Sequence, residues 1–564
     1  MTVPVAIPVR ARAGTYQRAS RFTGTLRLLS FAIRRDRVRI AVWIGSLALT
    51  WLAFAAAFTE LGGGDELDAR ALVMHSPAMV MMTGPGYGLD NYTVGAAIAM
   101  ESPLWIVGAL SVMSILQIVR HTRAEEESGR AELLRAAPLG RYAQPAAALL
   151  LVLLMHLAIT IVSVTILVGA AEVDLASTVA LITGLALIGC VFAGVALIAA
   201  QLAEHARTAT GVSLAVFGAA AALRAIGDAR ESPALGSDAT SWISWLSPIA
   251  WAQQTRAYVD LRWWPLGLIA AAAILTIAVA AVLIARRDFG AGLIPSRPGR
   301  VRATPALVGP TSLAWRTQRM GLMWTTLALG LLWLGSGTIM GALEEMMGML
   351  EEFPLYAAML NTDDLAASFF TMLFLLVALG AASWAVASLH RLGAEEHSGR
   401  TEMALAGGVS RAAWLGGQII VTTIGAAVIM ITGQALLWAG AVLADAPGIP
   451  SVALFAEFAA WHLPALAIII AFAAALHAWR PSLLPVAWII IGWAAIVMMF
   501  ADLLGLPDAA RAASPFWWVP ATLMGEGAAG GSVDATTAGA ALSGGAGVLI
   551  VIALVTYRRR DIPA

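Results

Sequence analysis

The side chains best placed for chemistry are carboxylates and guanidinium groups that recur at fixed spacing. The stretch RAEEESGRAELLRAAPLGR, residues 123–141, returns as GAEEHSGRTEMALAGGVSR, residues 393–411. A shift of 270 aligns Glu125 with Glu395, Glu126 with Glu396, Arg130 with Arg400, Glu132 with Glu402 and Arg141 with Arg411. Glu126 stands four residues before Arg130, and Glu396 four before Arg400. Acid before base at that spacing favours a pair on one helix face. Gly129 and Gly399 follow, able to end the preceding helix or to cap a new one. Glu132 and Glu402 then fall in the first turn of a short helix, where carboxylates meet the positive helix end. Leu133, Leu134 and Ala137 give that helix an apolar side in the first copy, which Pro138–Gly140 stops; Gly407–Gly408 stops the second. Such a charged, amphipathic turn is suited to ion pairing and to docking a partner, and no catalytic residue is assigned.

Other reactive groups are sparse. Cys190 is the one cysteine and has no internal disulfide partner. His121, His390 and His397 lie near the carboxylates, but the two copies do not share the set, so no metal is expected.

The elements that must position these residues are membrane helices. The chain has 564 residues, 59% hydrophobic and only 12% charged, with a formal net charge of zero. A soluble domain carries about 25% charge. The bilayer is therefore the solvent, and a neutral chain has no basic field for nucleic acid. All 35 basic residues are arginine. No cleavable signal peptide is evident. A spanning helix needs about 20 apolar residues. That rule predicts twelve spans in an all-α polytopic protein, near 38–59, 97–119, 145–170, 177–203, 209–227, 265–285, 320–341, 365–388, 414–443, 451–476, 482–502 and 536–557.

An even number of spans puts both termini on one side, and arginine assigns that side to the cytoplasm. The other side holds few arginines, such as Arg70, Arg224, Arg256 and Arg511, and acidic loops with Asp65, Glu66, Asp68, Glu351, Glu352, Asp363 and Asp364. A multi-pass inner-membrane protein is predicted, with both copies of the charged phrase cytoplasmic. The duplication also shows in SFAIRRDR before span one and SLAWRTQR before span seven, and in Trp245–Trp251 and Ser514–Trp518 before spans six and twelve. Two six-span halves in the same orientation form a parallel repeat, the arrangement expected when a pathway lies between halves. The expected divisions are an N-terminus at 1–37 with an interfacial helix, a first half at 38–285, a cytoplasmic linker and connecting helix at 286–319, a second half at 320–557 and a tail at 558–564.

On the outer side, Ser247, Pro248 and Trp251, echoed by Ser514, Pro515 and Trp517, suggest a half-inserted turn that forms an outer gate or an interfacial anchor. Ionisable residues in or near spans are Glu101, His156, Arg224, Glu457 and His462, none matched in the other half; Glu101 and Glu457 sit near span ends, which favours snorkelling to the interface over a buried site. Glu101, Trp105, Met113 and Phe217 are candidates to line a greasy cavity, although small and aromatic residues also serve helix packing.

The charged phrase between spans two and three, E-E-x-S-G-R-x-E, resembles the coupling helix of type-2 ATP-binding-cassette exporter permeases. The segment WLSPIAWAQQTRAYVDLRWWPL, residues 245–266, is similar to the outer segment before the last span of each half in that family. The twelve-span duplicated form resembles the tetronasin-type antibiotic-efflux permeases of actinobacteria. His397 in place of Glu127 and Gly408 in place of Pro138 depart from the pattern. The resemblance implies two separately encoded nucleotide-binding subunits under the two phrases, ATP and Mg held by those partners, and a hydrophobic or amphipathic cargo alongside membrane lipids. A chain without lysine has no Walker A lysine, so ATP hydrolysis is expected elsewhere. An ion-coupled secondary carrier and a membrane glycosyl or lipid transferase are the alternative classes. The first would need embedded carboxylate relays, and the second would use the outer carboxylates.

Overall fold

The structure is a computed structural model. It describes residues 20–60, 65–75, 77–135, 137–237, 239–288, 290–295, 303–304, 306–339, 365–446, 449–501, 506–520 and 533–561. Glu351, Glu352, Asp363, Asp364, Pro298 and Pro305 lie outside those residues, as do the side chains of Asp65, Glu66, Leu133 and Leu134.

Two compact units divide the chain, residues 1–299 and 300–564, with the boundary inside the expected linker. Among the described residues the architecture is all-helical, and twelve helices are long and apolar enough to cross a membrane.

In the first unit the helices are α1 (Thr25–Glu60), α2 (Asp65–Met74), α3 (Pro77–Thr83), α4 (Val94–Glu101), α5 (Pro103–His121), α6 (Arg123–Glu127), α7 (Arg130–Arg135), α8 (Ala143–Ala170), α9 (Leu175–Leu202), α10 (Ala206–Arg230), α11 (Pro248–Gln253) and α12 (Trp264–Arg286). In the second they are α13 (Pro310–Ile339), α14 (Leu365–His397), α15 (Arg400–Ala406), α16 (Arg411–Leu443), α17 (Val452–Trp479), α18 (Val486–Phe500), α19 (Asp508–Arg511) and α20 (Ala535–Arg559).

Side-chain caps start several spans. Asp174 accepts from the Ser177 amide at 2.7 Å and Ser451 from the Leu454 amide at 3.3 Å, equivalent positions ahead of α9 and α17. The Ser177 amide first, then the Ser177 hydroxyl and the Ala176 amide, hold the Asp174 carboxyl below its ordinary range. Spans α9 and α14 are the most enclosed. The core of the first unit gathers α5, α8, α10 and α12 around α9, and that of the second gathers α14, α16 and α20 around α17.

Two boundaries differ from expectation. The interfacial helix and first span are one helix, α1, with a kink at Asp36, beside the expected junction at 37/38. Asp36 is buried and takes both Arg120 Nε and Nη2 at 3.0 Å, with His121 Nε2 at 2.9 Å, so the kink is pinned to the end of α5. The aligned residue in the second unit is Gln318, also buried. Its Nε2 donates to Gln418 at 2.8 Å and its Oε1 accepts from Ser388 at 2.9 Å. An ionic anchor in one unit is thus a neutral amide in the other. The expected second span is split at Ser102, because Pro103 has no N–H and starts a new helix as its first residue.

Candidate functional site

Each charged phrase is built on the end of the second long span of its unit. In both units the helix closes through the same two bonds: Ser128 and Gly129 amides to Ala124 and Glu126 carbonyls, and Ser398 and Gly399 amides to Ala394 and Glu396 carbonyls. Gly129 has φ 72° and Gly399 φ 71°, the left-handed conformation that glycine adopts without strain. A Cβ at either would meet nothing within 4 Å, so backbone conformation, not space, selects glycine. The short helices α7 and α15 start there.

This turn changes the expected pairing. A break at Gly129 removes the helical register that would place Glu126 against Arg130. Arg130 lies 3.8 Å from Glu125 instead, and Arg400 lies 3.7 Å from Glu395. Glu126 and Glu396 point inward. Glu126 Oε1 accepts from Arg287 Nη2 at 2.5 Å, and Arg287 Nη1 donates to the Ala200 carbonyl at 3.3 Å. Arg141 then donates from Nη2 to the Arg287 carbonyl at 2.7 Å and from Nε to Ile284 at 3.0 Å. The second unit repeats the arrangement. Glu396 Oε2 accepts from Arg560 Nη2, Arg560 Nη1 donates to the His477 carbonyl at 2.7 Å, and Arg411 Nη1 donates to the Arg560 carbonyl at 2.6 Å. A shift of 277 that aligns α9 with α17 also aligns Ala200 with His477. Each clamp therefore joins the ends of the second, fourth and sixth spans to the start of the third. Sequence reading singles out Glu126, Glu396, Arg141 and Arg411, as docking residues rather than as members of an internal clamp. It missed Arg287 and Arg560, whose signal was the arginine just beyond each sixth span.

The clamps differ in their remaining partners. In the first unit Arg123, 2% exposed, donates to Glu126 Oε2 at 2.8 Å and to the carbonyls of Glu204, Gly290 and Ala291. Its aligned residue is Gly393. In the second unit the Tyr557 hydroxyl donates to Glu396 at 3.0 Å, and His477 Nε2 lies 3.1 Å away. Glu125 pairs with Arg35 of α1 at 2.6 Å. Glu127 accepts from the Ala206 amide at 2.8 Å at the start of α10, a carboxylate on a positive helix end. His397 cannot supply that charge. A polar cavity of about 540 Å³ adjoins the first clamp, lined by Thr122, Glu126, Arg141, Gln144, Gln201 and Arg287. Arg130, Glu132, Arg400 and Glu402 stand exposed, as does Met403 at 73%.

On the opposite side Ser247 is buried and accepts from the Ile249 amide at 3.2 Å, with Pro248 opening α11. Trp251 Nε1 donates to the Trp245 carbonyl at 2.9 Å. The matching bond in the second unit runs from Trp518 Nε1 to the Ala512 carbonyl at 2.9 Å. Trp518, not Trp517, is thus the counterpart of Trp251. Ser514 is buried ahead of a single turn at Pro515–Trp518, and the Trp517 ring lies 5.6 Å from the Arg511 guanidinium. The segment after α11 is strained, with Arg256 at φ 46° and Tyr258 at φ 63°. Burial pushes the Tyr258 phenol up to about 12, so it remains a neutral partner for Thr178 at 2.8 Å.

The four cavity candidates are not gathered together. Glu101 is held by Arg70 through two bonds of 2.7 and 2.6 Å and by the Tyr92 hydroxyl at 2.9 Å. Burial, and next the Glu101 charge, push the Tyr92 phenol far up. Trp105 is 63% exposed, Met113 is enclosed in the first core, and Phe217 meets Phe192 edge-on at 5.1 Å. Arg224 is buried against Asp228 at 2.9 Å, and its other nitrogens take the Val80, Met81 and Met82 carbonyls at the end of α3.

Two six-span units with matching helix-end clamps define a duplicated polytopic membrane permease. The model of the family described as "Multidrug efflux system permease Rv1217c, C-terminal domain" matches residues 27–284 and 307–558. The chain belongs to this multidrug efflux permease family. It is similar to the multidrug efflux system permease protein Rv1217c of Mycobacterium tuberculosis (strain ATCC 25618 / H37Rv). The two are 36% identical over 558 residues, covering 97% of this chain and 96% of that one.

Proposed function

We propose that this chain is the membrane subunit of an ATP-driven exporter of the type-2, tetronasin-like kind. Two separately encoded nucleotide-binding subunits hold ATP and Mg, dock under α7 and α15, and drive alternating access for a hydrophobic or amphipathic compound. Both termini then face the cytoplasm, as the arginine distribution favours. The observation that carries this reading is the pairing of an exposed charged helix with a buried clamp in each unit. Arg130, Glu132, Arg400 and Glu402 present charge outward. Behind them Glu126–Arg287 and Glu396–Arg560 tie the turn to the ends of other spans. A push on α7 or α15 is thereby passed to three spans rather than lost in a loop. A ligand shifts a conformational equilibrium only by its differential affinity for the two states, and ATP at the partner supplies that difference.

The test is co-expression with the nucleotide-binding subunit and reversal of the exposed charges by Glu132→Arg with Glu402→Arg. Loss of complex formation and of transport-linked ATPase is expected, with the isolated chain unchanged in thermal stability. Full retention of both overturns the docking assignment.

A further inference from the structure

Glu457 is a carboxylate inside a membrane helix with no bond to satisfy it. It lies about 8 Å along α17 from the helix start, on the side away from the arginine-rich ends. It is exposed and has no hydrogen-bond or ion-pair partner among the described residues. The helix is longer than the hydrocarbon core, so Glu457 stands at its rim, where a carboxylate can meet a cation arriving from the interface. Glu101, by contrast, is covered by Arg70 and Tyr92.

Glu457 opens onto a groove of about 380 Å³ between α17 and α20, within the second unit. The groove is walled by Trp461 and Pro464 on α17 and by Thr536, Gly539 and Ser543 on α20. Its volume suits a small organic molecule. Pro464 has no N–H, so the Ala460 carbonyl at the groove lacks its ordinary i+4 donor. A carboxylate and a carbonyl freed of its i+4 donor make the polar rim acceptor-rich, and the indole face attracts a cation.

Within the duplication the groove is a feature of one unit. The shift of 277 aligns Glu457 with Ala180 and Trp461 with Gly184. In the first unit Ala180 is fully buried, and a Cβ at Gly184 would stand 3.3 Å from Leu266 and 3.5 Å from Ala252. The equivalent seam there is closed around the small Ala180 and Gly184, with Leu266 packed against the latter. In the second unit a charge and an indole replace them, and Gly539 leaves room, its Cβ position being 3.3 Å from the Trp461 ring.

We propose that the α17–α20 groove binds a cationic amphiphile, with the positive centre on Glu457 and the apolar rings against Trp461 and Pro464. This deepens the cargo side of the efflux reading and is independent of how transport is powered.

The test is binding of radiolabelled tetraphenylphosphonium to the full chain in phosphatidylcholine nanodiscs, without nucleotide or partner. Triphenylphosphine oxide, a neutral competitor of similar size, is the control. Glu457→Gln is expected to weaken the cation about tenfold, the size of one charged contact, and to leave the neutral compound within about twofold. Ser543→Phe, which fills the groove and keeps the charge, is expected to abolish binding of both. Glu172→Gln, a carboxylate outside the groove, is expected to change neither. Unchanged cation affinity in Glu457→Gln overturns the proposal, as does equal loss of both ligands in that variant, which marks an acyl-chain groove. Failure here leaves the ATP coupling reading untouched, because no partner is present.

Discussion

Glu126 and Arg287 meet at 2.5 Å where the second and sixth spans of the first unit end, and each side chain is only 9% exposed. Taking one partner from an enclosed pair strands the other, at about 3–5 kcal/mol. Glu126→Ala takes the carboxylate from both Arg287 and Arg123 and leaves each only backbone carbonyls, whereas Arg287→Ala leaves Glu126 its bond to Arg123. The Glu126 variant is therefore expected to be the less stable of the two. The double variant is expected to be more stable than the sum of the singles by about 1–3 kcal/mol. A double-mutant cycle on unfolding in mixed micelles measures this, and strict additivity would mean that the pair carries no coupling.

The second clamp should respond more mildly to loss of charge. Glu396 is held by one arginine, a tyrosine hydroxyl and a histidine. A glutamine whose oxygen faces Arg560 turns its amide N–H groups toward Tyr557 and His477, a hydroxyl and an imidazole that can accept. Glu396→Gln is expected to cost about 1–2 kcal/mol, less than Glu126→Gln, where arginines hold both oxygens. Melting temperatures of the two variants side by side decide it. Equal losses would mean that the differing partners do not matter.

The architecture was legible because bilayer thickness imposes it: apolar runs of the required length gave all twelve spans, even the run interrupted by Arg224. That arginine is accommodated because Asp228 and the end of α3 satisfy it. The phrases were legible as a repeat, but their internal pairing was not. Four-residue spacing implies a Glu126–Arg130 pair only on an unbroken helix, and the left-handed glycine between them carries Arg130 out of that register. Arg287 and Arg560 were hidden because their partners lie about 160 residues away and they look like ordinary positive-inside arginines. The groove at Glu457 was hidden for a related reason. Its meaning depends on α20, a neighbour that periodicity cannot supply, and on comparison with the closed seam at Gly184.

Close helix packing in the second unit yields a steric expectation. At the crossing of α13 and α16, a Cβ on Gly440 would lie 2.1 Å from the Leu334 carbonyl oxygen, and one on Gly337 would lie 2.0 Å from that of Leu437. Backbone cannot move aside as a side chain does. Gly440→Ala is expected to destabilise the protein by about 1–3 kcal/mol, the cost of overpacking. Gly492→Ala, where a Cβ meets nothing within 4 Å, serves as the neutral comparison. A melting temperature for Gly440→Ala equal to that of Gly492→Ala would contradict the crossing.

Arg224 and Asp228 are each 1% exposed and bonded at 2.9 Å, with Ser244 donating to the carboxylate at 2.5 Å. Arg224→Leu leaves a buried carboxylate and uncaps α3. A loss of about 3 kcal/mol is expected. The double variant Arg224→Leu with Asp228→Leu should recover part of it, but not the contribution of the α3 carbonyls. Protease nicking near residues 75–85 reports the uncapped helix directly. An Arg224→Leu protein that resists cleavage as wild type does would show that the cap is dispensable.

The tryptophans at the helix ends away from the charged phrases separate hydrogen bonding from simple anchoring. Trp251 and Trp518 each donate an indole N–H to a carbonyl six residues earlier, at 2.9 Å in both units. Phenylalanine keeps an aromatic ring at the boundary but removes that donor, leaving the Trp245 or Ala512 carbonyl without it. Trp251→Phe and Trp518→Phe are each expected to cost about 1 kcal/mol. Trp517 sits against the Arg511 guanidinium, which a phenyl ring still attracts, so Trp517→Phe should change stability by less. If all three substitutions act alike, these residues serve as interfacial anchors only. If the 251 and 518 variants alone lose stability, and efflux of a fluorescent substrate falls with them, the folded turns they hold contribute to the outer end of the transport path.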